Sequence, residues 1–84
     1  MTVQEKLEQM LIDSGMFPTQ AKEVMILAIP ELNDLVEDYS ITFDRPSDEY
    51  PEVIYGVLFI SIKPIALQWL EDNIPMAWYK PIFQ

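Results

Sequence analysis

Apolar and polar positions recur along the first forty residues with the period of an α-helix. Val3, Leu7, Met10, Leu11 and Ser14 share one face, while Gln4, Glu5, Glu8 and Asp13 take the other. Thr2-Val3-Gln4-Glu5 has the form of a capping box, in which the Thr2 hydroxyl accepts the Glu5 amide and the Glu5 carboxylate reaches back to the Thr2 amide. Gly15 supplies the left-handed conformation that ends this helix. Met16-Phe17-Pro18 makes a turn, and a second helix is predicted from about Thr19 to Ile29. Its second half, Val24 to Ile29, is apolar all round and calls for deep burial. Pro30 cannot donate the hydrogen bond of a continuing helix but suits the first turn of a new one, so a third helix is expected from Glu31 to about Tyr39. Leu32, Leu35, Val36 and Tyr39 make its apolar stripe. Ser40 to Tyr50 reads as a loop, with Ile41-Thr42-Phe43 able to form a brief extended piece.

The pattern then changes. From Val53 to Leu70 only Ser61, Lys63, Pro64 and Gln68 are neither apolar nor glycine. As a membrane span the block is long enough, but Lys63 and Pro64 sit near its middle and Glu71 and Asp72 close it without a basic anchor. As a strand, Val53 to Ile62 has the right residue types, with only Ile41-Thr42-Phe43 to pair against. As a helix from Pro51 to Asn73 it would be roughly 34 Å long, about the diameter of a domain of this size. On that favoured reading Glu52, Gly56 and Lys63 line one narrow, less apolar side, and everything else is core. The expected fold is all-α: a compact bundle of about four helices around a long, Pro-kinked apolar helix. The alternative is α+β with a minor two-stranded sheet. Residues 1–84 form one domain, with residues 74–84 an aromatic C-terminal strap.

Charge sharpens the picture. With 5 basic and 14 acidic residues the net charge is −9, which argues against direct binding to nucleic acid or to an anionic membrane. Eight of the acids lie between Glu31 and Glu52, against Arg45 alone. Such a run is either a solvated face or a docking surface for a basic protein partner. The candidate contact residues are Asp34, Glu37, Asp38, Asp44 and Asp48, joined by Trp78, Tyr79 and Phe83 in the tail, since aromatic residues anchor interfaces. An opening without an apolar leader stretch points to the cytoplasm. A homo-oligomer is open, and an exposed part of the apolar block would favour one.

The chemical inventory is short. Cysteine and histidine are both absent, which removes the thiolate nucleophile, the commonest general base and the commonest metal ligands. Four serines have no histidine to activate them, and the two glycines lie apart, so no phosphate-cradling loop forms. Asp44, Asp48, Glu49 and Glu52 do not match the spacing of a calcium loop. A non-enzymatic protein without cofactor or metal is expected.

Two resemblances bear on function. The segment Leu11 to Ala21, and Met16-Phe17-Pro18 within it, resembles the first helix, loop and second-helix start of the CUE and UBA ubiquitin-binding modules, where this loop contacts ubiquitin. The di-leucine of their third helix is missing, because Asn33 and Asp34 separate Leu32 from Leu35. Phe17 packed inward at an ordinary helical corner is the competing expectation. Over most of the chain, the Met-Phe-Pro corner, Tyr50-Pro51, Val57-Leu58-Phe59, Ser61-Ile62-Lys63, Ala66 to Trp69 and Ala77 to Phe83 resemble small proteins of tailed-phage and prophage genomes. That resemblance implies a compact helical protein made in a bacterial host and acting through other proteins. The function expected from all of this is a phage-encoded interaction protein. The alternatives are an acidic inhibitor that mimics nucleic acid, and a ubiquitin-binding-like three-helix module.

Overall fold

The structure is a computed structural model and describes residues 1–74. The described residues are all-α: α1 spans Val3–Asp13, α2 Pro18–Asp38 and α3 Glu52–Asn73, with one 3-10 turn among them at Ser47–Glu49. No strand forms among the described residues. An isolated antiparallel bridge joins Thr2 to Pro46, and Ile41-Thr42-Phe43 pairs with no strand. Of the strap expected at 74–84, all but Ile74 lies outside the described residues.

α1 begins as its sequence dictates. The Thr2 amide donates to Glu5 Oε1 at 3.1 Å and the Glu5 amide donates to Thr2 Oγ1 at 3.2 Å, closing the capping box. The 40s loop satisfies the first two helical amides: Val3 N–H donates to the Arg45 carbonyl and Gln4 N–H to that of Phe43. The start of the first helix and the loop before the last are thereby tied together. α1 ends with Gly15 at φ 118°, the Met16 amide donating to the Leu11 carbonyl and the Gly15 amide to that of Ile12. This is the Schellman pattern, which turns the residue after the glycine back onto the helix. Accordingly Met16 is buried, at 2% exposure, and joins Leu11 in the core. Phe17, expected to pack inward, is 69% exposed. The helix stop takes Met16 inside, and Phe17 is left to begin α2 from the outside.

The expected break at Pro30 does not occur. α2 runs unbroken through it, so the described residues hold three α-helices where about four were expected. Pro30 withholds a hydrogen bond from the carbonyl of Ile26 and crowds it with its ring, which together cost about 3 kcal/mol or more in a helix interior. Both Pro30 and Ile26 face outward, where water can serve that carbonyl. The inward positions Ala21, Val24, Met25, Ala28 and Leu32 keep a helical period across the proline and bury completely. α2 then ends in a second Schellman pattern, with the Ile41 amide on the Val36 carbonyl and Ser40 at φ 53° in place of glycine.

α3 has the extent the sequence predicts, from a cap at Pro51 to Asn73, and passes through Pro64 without interruption. Its surroundings differ from expectation. Tyr55, Leu58, Ile62, Ala66 and Leu70 are buried, packed chiefly against α2 and less extensively against α1. The opposite side is uncovered: Val53 is 71% exposed, Ile60 70% and Leu67 36%. A helix with two neighbours can be covered on about half its circumference, so an apolar circumference must leave apolar residues outside.

Candidate protein-binding surfaces

Asp34, Glu37 and Asp38 all lie exposed on the last turns of α2. They stand three and four residues apart, where like charges repel on a helix, and beside the negative end of the helix dipole. The last turn of α2 contains no basic residue to offset them. Asp44 and Asp48 are exposed as well, on the loop and on the 3-10 turn that the N-terminus holds down through the Ser47 amide to the Met1 carbonyl, at 2.7 Å. The five carboxylates therefore form two groups, one at the end of α2 and one on the loop. Arg45 reaches Glu49 at 3.5 Å and Lys6 reaches Glu52 at 3.2 Å, so these two bases serve the 3-10 turn and the start of α3. Lys22 lies 3.8 Å from Glu8, across the α1–α2 contact. Trp78, Tyr79 and Phe83 lie outside the described residues.

The apolar surfaces were the part that residue patterns failed to single out. Val53, Ile60 and Leu67 stand seven residues apart and make one outward stripe along α3. Beside it, a groove of about 480 Å³ runs between α2 and the second half of α3. Leu27, Pro64, Ile65 and Trp69 form its apolar part, and Glu31, Gln68, Asp72 and Asn73 its polar part. Pro64 belongs to both the groove and the outward side of α3. Phe17, one residue from a helix start, adds a separate exposed aromatic.

Several polar contacts among the described residues join the elements or lie within them. The Tyr55 hydroxyl donates to the Ser47 carbonyl, pinning the 3-10 turn to α3. Burial pushes the Tyr55 phenol above its ordinary value, and the nearby Glu52 carboxylate adds to the shift. The Lys6 ammonium lies 5.3 Å from the centre of the same ring. The Glu5 carboxyl is held below the usual range by the Thr2 amide and then by the Thr2 hydroxyl, as a cap should be. Ser14 and Ser61 donate their hydroxyls to the carbonyls of Met10 and Val57 inside their own helices. No group of three or more acidic side chains placed to hold a metal ion occurs among the described residues.

Comparison with family models, with curated proteins and with solved structures gives no match. No relative lends this chain an activity, and its surfaces are what remain to read.

Proposed function

We propose that this chain is a non-enzymatic protein-binding protein, phage-encoded and working in the bacterial cytoplasm, whose acidic surface docks a basic protein partner. The observation that carries the reading is the acid group on the last turns of α2. Asp34, Glu37 and Asp38 are exposed, repel one another, oppose the helix dipole and have no base in that turn. They weaken the helix that holds them, a cost that a contact with a basic partner would offset. Asp44 and Asp48 extend the surface, and Trp78, Tyr79 and Phe83 supply aromatic anchors from the tail. Such a surface steers a basic partner and sets its on-rate, so binding should weaken as salt rises. The resemblance to small phage and prophage proteins supports the setting.

Partner recovery from a bacterial host tests this, comparing the intact chain with a variant carrying D34N, E37Q, D38N, D44N and D48N. The reading expects at least a tenfold loss of recovered partner, about 1.4 kcal/mol, while the helical circular dichroism is unchanged. Undiminished recovery would remove the acids from the interface. If the partner is a nucleic-acid-binding protein displaced by its own DNA or RNA, the acids act by mimicry of a phosphate backbone.

One observation favours a second reading, the ubiquitin-binding-like module. Phe17 is exposed at the corner that resembles the CUE contact loop. Titration with ubiquitin should then shift resonances of Met16 and Phe17, and an unperturbed spectrum ends that reading.

A further inference from the structure

The groove between α2 and the second half of α3 belongs neither to the core nor to the five carboxylates of the docking surface. Its lining combines two chemistries. Leu27, Pro64, Ile65 and Trp69 offer apolar and aromatic surface, and Glu31 and Asp72 bring carboxylates to the same space of about 480 Å³. The other two polar side chains are already engaged inside α3. Gln68 donates its amide to Asp72 Oδ1 at 2.9 Å, and Asn73 donates its own to the Trp69 carbonyl at 2.8 Å. The first of these bonds holds the Asp72 carboxylate in place and occupies one of its oxygens. Among the described residues no lysine or arginine pairs with Glu31 or Asp72, and the last turn of α3 contains no base. The negative end of the α3 dipole adds to the two charges.

An apolar ligand would strip water from two carboxylates without replacing it, and an anion would be repelled. A cation on an apolar stem satisfies both parts of the lining. We propose that the groove holds an arginine side chain of a basic protein partner, its methylenes against Leu27 and Ile65 and its guanidinium against Trp69, Glu31 and Asp72. Arginine rather than lysine follows from the indole beside two acceptors. A guanidinium is planar, sheds water more readily than an ammonium, stacks on an aromatic face and carries five N–H donors for the carboxylates. Its stem packs on apolar surface while the charged head stays at the acids. The proposal rests on the reading of this chain as a binder of a basic protein, and it adds a site to that reading. Glu31 stands one turn before Asp34, so the groove continues the acid group at the end of α2.

Titration of the full chain with acetyl-Ala-Arg-Ala-amide, at about 0.15 M salt to screen diffuse attraction, tests this by nuclear magnetic resonance. The Trp69 indole and the Gln68 and Asn73 side-chain amides should shift together and saturate at millimolar peptide, as suits one partly exposed side chain. The lysine counterpart should bind about threefold more weakly or worse. The citrulline counterpart, which keeps the shape and loses the charge, should leave these resonances in place. Glu31→Gln and Asp72→Asn alter exposed sites, so each should keep the helical circular dichroism while weakening the arginine peptide about threefold. The variant carrying D34N, E37Q, D38N, D44N and D48N should bind the peptide through the same resonances as the parent, so failure of the groove and failure of the docking surface are read separately. Absence of shifts at about 20 mM arginine peptide overturns the proposal. Equal binding of citrulline overturns it by making the groove merely apolar, and equal binding of lysine by leaving charge as the whole attraction. Groove resonances that move with protein concentration in the absence of peptide would put a second copy there, and overturn it as well.

Discussion

α2 and α3 are nearly the same length, 21 and 22 residues, and each carries a proline in its interior with an exposed isoleucine four residues before it. They solve the proline in the same way, by turning it and the carbonyl it abandons toward solvent. They differ in what else faces outward. Beside Ile26 and Leu27, α2 exposes Glu23, Glu31, Asp34, Glu37 and Asp38, while α3 exposes Val53, Ile60, Pro64 and Leu67 along its length and keeps its exposed acids, Glu52, Glu71 and Asp72, at its ends. The difference teaches that burial in this chain is set by the number of neighbours available. The charged outer face of α2 leaves only Ile26 and Leu27 as large apolar side chains uncovered, whereas the outer face of α3 is apolar along its middle.

The sharpest way to break that contrast is within α3 itself. Leu58 is fully buried and Ile60, two residues on, is exposed. Leu58→Ala should cost about 3 kcal/mol by lost transfer energy and cavity, most of what a domain this small has to spare. Ile60→Ala should change the monomer's stability by no more than about 0.5 kcal/mol. Urea unfolding at a concentration low enough to hold the chain monomeric compares the two. Equal costs would mean that α3 is covered on both sides and that the contrast with α2 is false.

Next come the prolines. Pro30→Ala and Pro64→Ala should each stabilise by about 1–2 kcal/mol, since the helix already exists on both sides and regains one hydrogen bond. Thermal melts of the two variants check this. A gain at Pro30 and a loss at Pro64 would show that only α3 uses its proline for a contact, which would sharpen the comparison.

What residue patterns reveal here follows the range of the interaction that decides each feature. The capping box of α1, the stop at Gly15 and the extent of α3 rest on neighbours within a few residues, and all three are present. The continuity of α2 was legible as well, in the period of Ala21, Val24, Ala28 and Leu32, but the local chemistry of Pro30 outweighs it unless solvent access to Ile26 is known. The burial of Met16 instead of Phe17 follows from the Schellman stop, and so was within reach of the glycine alone. The exposed stripe on α3 was not. Apolar residues state that they must be hidden, and the chain does not say which surface hides them. For the same reason the acids at Asp34, Glu37, Asp38, Asp44 and Asp48 were visible as a run, while their separation into a helix end and a loop depended on where the loop docks.

The helix ends test the local half of the comparison at about 1 kcal/mol. Ser40 holds φ 53° at the end of α2, where Gly15 holds the equivalent place after α1. Ser40→Gly should stabilise by about 1 kcal/mol and Gly15→Ala should destabilise by at least as much, because only glycine adopts positive φ without steric cost. If both substitutions were neutral, the two stops would not be the shared device that the hydrogen bonds describe.

Tyr55 supplies the smallest test, and the one that separates the inner faces of the two helices. The inner side of α2 buries only apolar side chains, while α3 buries a phenol whose hydroxyl donates to the Ser47 carbonyl. Tyr55→Phe should cost about 1 kcal/mol at neutral pH, the net worth of one hydrogen bond and the carbonyl it leaves behind. Its pH dependence carries a definite sign. Burial raises the phenol above its ordinary value of 10.0, so the native state keeps a proton that the unfolded chain gives up first. The contribution is therefore complete below pH 10.0 and is lost as pH rises toward the folded value. Stability of the parent chain should fall along that alkaline limb more steeply than that of Tyr55→Phe, and the two curves should converge. Parallel curves would mean that Tyr55 reaches solvent, and that the inner face of α3 is no better sealed than its outer one.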